Sequence, residues 1–152
     1  MYLQKKDHVS RHVPYKKLLR DEEDNPVGIL PQAFEMRAKK NEKALSVNWL
    51  EYFGGNHADN IIETIKSFRL SRDNRVGQLS AFGIGNVGKL EDTCAEYQHT
   101  KVRVLYNEKK VTNNNKSHAS IIRLPINDMD IMQALALDVF IELVPNKDIP
   151  QD

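Results

Sequence analysis

Val76-Gly77-Gln78-Leu79-Ser80-Ala81-Phe82-Gly83-Ile84-Gly85-Asn86-Val87-Gly88 decides between two architectures. Its last six residues fit G-x-G-x-x-G, and a helix-like stretch, 89–98, follows. A further strand-like segment ends near Glu108, about 20 residues past the last glycine, where a dinucleotide domain carries its ribose-binding acid. Three features oppose that reading. The fingerprint normally opens its domain, yet about half of this chain precedes it. The chain that remains is too short for a full doubly wound sheet. The leading strand of such a fold is a buried apolar run, and Gln78 and Ser80 interrupt this one. The glycines therefore read as a strand end or bulge, where small residues permit close backbone approach. No dinucleotide or other cofactor is expected, and the fold class becomes α+β.

Working outward supports that class. In 101–106, Val102, Val104 and Tyr106 alternate with Arg103 and Leu105, which predicts a strand. A second strand is expected at 118–124, closed by Pro125, after an asparagine-rich loop at 111–116. Ile131, Met132, Leu135, Ala136, Val139, Phe140 and Leu143 follow helical spacing and predict a helix over 128–143, capped by Asn127 or Asp128 and ended by Pro145. Leu137 and Ile141 make it apolar nearly all round, so it is either deeply buried or part of a partner interface. Toward the N-terminus, Ile61, Ile65 and Phe68 place a helix at 60–71, with Asn60 and Glu63 as a capping pair. Ser46 is expected to cap a short helix that stops at Gly54-Gly55. Pro31 opens a short helix at 32–40, and a turn is expected at 24–28. The expected whole is a single domain over 1–152, with a small mixed or antiparallel sheet packed against helices 60–71 and 128–143.

Composition sets the outer limits. The chain has 152 residues, 40% hydrophobic and 28% charged, ordinary proportions for a globular domain. Net charge is +1, which gives no whole-molecule field for nucleic acid. Lysines and arginines do crowd residues 1–20, and Asp21 to Asp24 follow at once, which reads as a solvated basic segment neutralised by its neighbour. The lone cysteine, Cys94, excludes an internal disulfide and fits a cytoplasmic location. With no basic neighbour in sequence it is expected to be unreactive. No run is long and apolar enough to span a bilayer, and no signal peptide is read at the N-terminus.

Complete catalytic motifs are lacking. The histidines show no H-E-x-x-H or other ligand spacing, so no metal site is expected. What remains is a set of polar residues inside apolar stretches: His8, Arg11 and His12 among Val9 and Val13, Arg37 three after Phe34, Ser46 and Asn48 inside the 44–53 cluster, and His118 on a strand. Arginine offers a fork for a phosphate, and histidine exchanges protons near neutral pH. The expectation is that His8, Arg11, Arg37 and His118 converge on a phosphate-bearing ligand, a nucleotide or a nucleic-acid end, with Ser46 and Asn48 orienting it. His8 or His118 would then be the general acid or base. The competing assignment makes each residue a cap, a satisfied buried hydrogen bond or a surface side chain. A competing function is a non-enzymatic accessory subunit that docks through helix 128–143.

Asp7-His8-x-x-Arg11, Ala33-Phe34-x-x-Arg37, Leu45-Ser46-Val47-Asn48-Trp49-Leu50-Glu51 and Ser117-His118-Ala119 together resemble a family of small uncharacterised bacterial proteins. The resemblance covers most of the chain and is most specific in the Leu-Ser-Val-Asn-Trp-Leu-Glu block. It implies no activity, only that these polar residues belong to one unit.

Overall fold

Val9, Arg11 and Val13 alternate with His8, Ser10 and His12, and this period of two builds a strand, β1 (His8–Val13), inside what the charge run alone presents as a solvated segment. The computed structural model describes residues 1–37, 40–108 and 115–151. In it β2 (Leu18–Arg20) and β3 (Pro26–Ile29) form a small hairpin. The other strands are β4 (Ala44–Trp49), β5 (Ala81–Asn86), β6 (Arg103–Tyr106), β7 (His118–Ile122) and β8 (Glu142–Pro145). With β1 they make a six-stranded sheet in the order β6-β7-β4-β1-β5-β8, antiparallel at every step. Three helices, α1 (His57–Ser71), α2 (Val87–Glu96) and α3 (Met129–Ala134), complete an α+β domain.

Two apolar clusters hold the layers. Val9, Val13, Leu45, Val47, Val104, Ala119 and Ile121 point to one face of the sheet, where α2, α3 and the 3-10 turn Pro31–Phe34 cover them. On the opposite face Phe82 and Ile84 meet Ile61, Ile65 and Phe68 of α1, together with Leu50 and Ile149. That second face is apolar over β5. Over β1, β4 and β7 it carries Ser10, Ser46, Asn48, His118 and Ser120, because Ser10 stands opposite Asn48, Asn48 opposite His118, and Ser46 opposite Ser120. A sheet whose covered face turns polar at its centre is the ground on which a site can form.

Several local expectations are corrected. Residues 44–53 are not a helix capped by Ser46. Leu45, Val47 and Trp49 alternate with Ser46 and Asn48, so the first part is β4, and only Leu50–Phe53 turns, as a 3-10 helix ended by Gly54 at φ +73°. Of the expected 32–40 helix, Pro31–Phe34 is a 3-10 turn and residues 35–37 are not helical, while residues 38 and 39 lie outside the described residues. Helix α1 begins earlier than Asn60: Asn56 Oδ1 accepts the Asp59 N–H at 2.8 Å, while Asn60 is spent on Gly55. The 128–143 segment is α-helical only through Ala134, and a π-type turn, Leu135–Val139, then ends it. There the Phe140 N–H bonds Leu135 O at 2.9 Å, and residues 142–145 leave to pair with β5. Of the asparagine-rich loop, residues 111–114 lie outside the described residues.

The glycine motif has a packing role. A Cβ on Gly85 would lie 3.1 Å from Phe140 Cδ1 and 3.2 Å from Val139 Cγ1, and one on Gly88 would lie 2.9 Å from the Lys5 carbonyl oxygen. Strand β5 does lead into a helix, but its partners β1 and β8 are both antiparallel, so the parallel βαβ unit of a dinucleotide domain is not built here. No helix among the described residues is long and apolar enough to cross a membrane.

Candidate functional site

Strands β1 and β4 pair only at Val9↔Trp49 and Ser10↔Asn48 and then part. Arg11 fills the opening. Its Nη1 donates to the Ser46 carbonyl at 2.8 Å, standing in for a ladder bond, and its Nε donates to the Ala33 carbonyl at 3.1 Å. Below this gap lies a cavity of about 170 Å³. Ser10, Ser46 and Asn48 form its floor, and His12, His118 and Asn115 stand around them. Phe68 and Arg72, one turn apart at the end of α1, close it from above. A larger hollow of about 570 Å³ shares His12, Phe68 and Arg72 and runs past Ser71 to Asp73, Arg75 and Val76. Two arginines and two histidines line the smaller cavity, and among the described residues its lining includes no carboxylate.

At neutral pH the charge on the cavity lining comes from its two guanidinium groups. Burial lowers the Arg11 pKa to about 10, with Glu42 opposing that shift and Arg37 adding to it. Arg11 thus stays protonated at neutral pH. Burial also lowers His12 to about 4, helped by the Arg11 and Arg72 charges, so its ring is neutral at pH 7. The ring packs against Phe68 and Phe82, with centroids 5.2 and 5.1 Å away, and its Nε2 is buried with no hydrogen-bond partner among the described residues. Helix α1 presents its carbonyl end here, equivalent to roughly half a negative charge. Two guanidinium charges outweigh it.

Hydrogen bonds fix the floor. Asn48 Nδ2 donates to Asn115 Oδ1 at 2.6 Å and to Ser117 Oγ at 2.9 Å. His118 Nδ1 faces two oxygens of Asn107, the carbonyl at 3.0 Å and Oδ1 at 2.7 Å, so Nδ1 carries the proton in the neutral ring and Nε2 carries the lone pair. Asn107 Nδ2 also donates to Ser120 Oγ at 2.9 Å.

Of the residues singled out from sequence, Arg11, Ser46, Asn48 and His118 come together. His8 and Arg37 do not line this cavity. Arg37 lies at the surface and makes a two-pronged contact with Glu42, its Nε and Nη2 donating at 3.0 and 2.9 Å. It pairs with a protein acid, as the competing assignment has it. His8 is held at the far end of β1, its Nδ1 2.7 Å from Glu51 Oε2 and its ring edge-to-face with His57. Among the described residues, His8, Glu51 and His57 are the trio whose potential ligand atoms lie within 4.8 Å of one another. Sequence reasoning counted His12 among the polar residues in apolar stretches but gave it no place in the site, and it passed over Ser10, Phe68 and Arg72. The period of two in β1 puts His12 and Ser10 on one face and would have found them. Nothing in the sequence links Arg72 to them, because that contact depends on where α1 crosses the sheet. Cys94 is fully buried, and burial raises its thiol to about 11, with Glu91 adding to the shift.

No family model matches the chain, and no curated protein or solved structure does so either. The resemblance drawn from the residue blocks therefore rests on those blocks alone.

Proposed function

We propose that the protein binds a phosphate-bearing ligand, a nucleotide or the end of a nucleic-acid strand, in the cavity over β1, β4 and β7. The observation that carries this is the lining: Arg11, Arg72, His12, His118 and small polar side chains around one concave surface, with no acid among the described residues that line it. A half-buried guanidinium, Arg11, and an exposed one, Arg72, facing one hollow attract an anion, with Glu42 near Arg11 opposing them in part. The smaller cavity fits a phosphoryl group, and the adjoining hollow has room for the rest of a nucleotide, within the usual size of ligand sites. A ligand oxygen would also satisfy His12 Nε2, whose burial without a partner costs about 1–3 kcal/mol. If a reaction follows binding, His12 and His118 are the groups placed for proton transfer and the arginines hold charge. His8 and Arg37 have no part in this reading.

The test is thermal unfolding with phosphate, sulfate or a nucleoside monophosphate, against chloride at equal ionic strength. A ligand at 100 times its Kd adds about 2.7 kcal/mol. Arg72 is exposed, so Arg72→Gln is expected to fold and to lose most of that gain, while Arg37→Gln keeps it. An equal anion response in wild type and Arg72→Gln would remove this reading.

One observation favours the competing function, an accessory subunit docking through the last helix. Leu137 and Ile141 are 60% and 71% exposed. Leu135, Ala136, Val139 and Phe140 are nonetheless buried, so the outward apolar face is much narrower than the sequence implies. No anion response in any variant would make this the better reading.

A further inference from the structure

Four side chains from four separate elements meet at the opposite end of α1 from the cavity. His8 opens β1, His57 opens α1, Glu142 opens β8, and Glu51 sits in the 3-10 turn after β4. An ionised carboxylate only accepts hydrogen bonds. His8 therefore donates its Nδ1–H to Glu51 Oε2 at 2.7 Å, and His57 donates its Nε2–H to Glu142 Oε1 at 2.8 Å. Glu51 Oε1 also accepts the His8 backbone N–H at 2.7 Å, which fixes the carboxylate beside the ring. The two imidazoles meet edge to face with centroids 4.8 Å apart.

As plain surface ion pairs these contacts would contribute little, about 0–1 kcal/mol each. His57, with its Nε2–H held by Glu142, matches the arrangement in which an acid fixes the tautomer of a metal-bound imidazole, and His8 Nδ1 and Glu51 Oε2 stand beside it as a second nitrogen and a carboxylate oxygen. We propose that His8, Glu51 and His57 bind one divalent first-row transition ion of the zinc class, with Glu142 as the residue that orients His57. Imidazole nitrogens select such ions over magnesium or calcium, which take oxygen ligands. One ligand atom of each of the three residues already lies within 4.8 Å of the others. Metal bonds of about 2.0–2.2 Å need them to draw in to roughly 3.3 Å, a rotamer-scale movement. The side chains are 30–42% exposed and free to make it. The ion takes the place of the proton between His8 Nδ1 and Glu51 Oε2, and that proton passes through solvent to His8 Nε2, so none is gained or lost. Two carboxylates balance the two positive charges, and three protein ligands leave a coordination position for water. No sequence spacing announces this site because its members come from different elements.

The experiment titrates Zn²⁺ into the chelator-treated full chain by calorimetry, comparing wild type with His57→Ala, Glu51→Gln, Glu142→Gln and a distant control, His99→Ala. Circular dichroism checks the fold of each. Wild type and His99→Ala are expected to take up one equivalent. His57→Ala and Glu51→Gln should lose it, and Glu142→Gln should bind roughly 10–100-fold more weakly. Should Glu51→Gln fail to fold, the surface variant His57→Ala decides. No saturable uptake by wild type, or equal uptake by His57→Ala, overturns the proposal.

Discussion

His12 is the residue on which the account turns, because it joins the core to the cavity. Its ring packs against Phe68 and Phe82, and its pKa falls to about 4 from an ordinary 6.5, chiefly through burial. The unfolded chain takes up the proton first, so this ring contributes stability that is fully present above about pH 6.5. That stability is lost progressively as pH falls toward 4. The amount is on the order of 2–3 kcal/mol after allowance for partial exposure. Denaturant unfolding near neutral and mildly acidic pH should show this slope in wild type and a much flatter one in His12→Gln. Equal slopes would remove the burial argument. Glu42 titrates in a separate window. Its hydrogen bond from Arg37 holds the carboxyl at about 2, so its contribution is present above about pH 4.5 and lost below that.

The same scale explains how much of the site the sequence carries. Arg11, Ser46, Asn48 and His118 were legible because a polar group inside an apolar stretch must find a partner. Arg37 met that criterion too, yet its partner is Glu42, five residues on. His8 met it as well and went to Glu51. Burial in an apolar stretch signals that a partner exists. It does not say whether the partner is a ligand or the chain itself.

At the scale of elements, β5 and the π-type turn are built for each other. Ile29 and Phe140 occupy the space that a side chain at Gly83 would need, Val139 and Phe140 that at Gly85, and Gly88 brings α2 against the Lys5 backbone. A backbone oxygen cannot give way as a flexible side chain can. Gly88→Ala is therefore expected to destabilise by about 1–3 kcal/mol, measured by thermal or denaturant unfolding. An unchanged midpoint would mean that the approach to Lys5 O is slack. The sequence reading of the G-x-G-x-x-G pattern as a strand end or bulge with close backbone approach fits Gly88 beside the Lys5 carbonyl, whereas Gly83 and Gly85 meet side chains, in part from the end of the last helix, in a strand of regular register. Strong 3.6-residue periodicity ran through 128–143, and only strand pairing of 142–145 with β5 says where the helix must stop. In 44–53 the alternation of β4 was overridden by the nearby glycines. Period two and a helix cap compete for the same serine there, and tertiary pairing with β7 settles it.

For the whole molecule, α1 is the member that ties the parts together. Its buried Arg69 donates to the Asn146 side chain and to the carbonyls of Asn146, Ile149 and Pro150, clamping the chain end beyond β8. Its first residue faces His8 and Glu142, and its last turns close the cavity with Phe68 and Arg72. The α+β class and a helix at about 60–71 followed from periodicity, and the helix starts three residues earlier, at His57. The position of α1 across the sheet is a tertiary fact, and both candidate sites depend on it. The central claim, that the cavity is the anion site, is tested most directly by two-dimensional NMR of the ¹⁵N-labelled protein during a phosphate titration. The account expects saturable shifts at His12, Ser46, Asn48, Arg72 and His118, with His8, Arg37 and Glu42 left in place. Shifts confined to the lysines Lys5, Lys6, Lys16 and Lys17, or scattered without saturation, would contradict it.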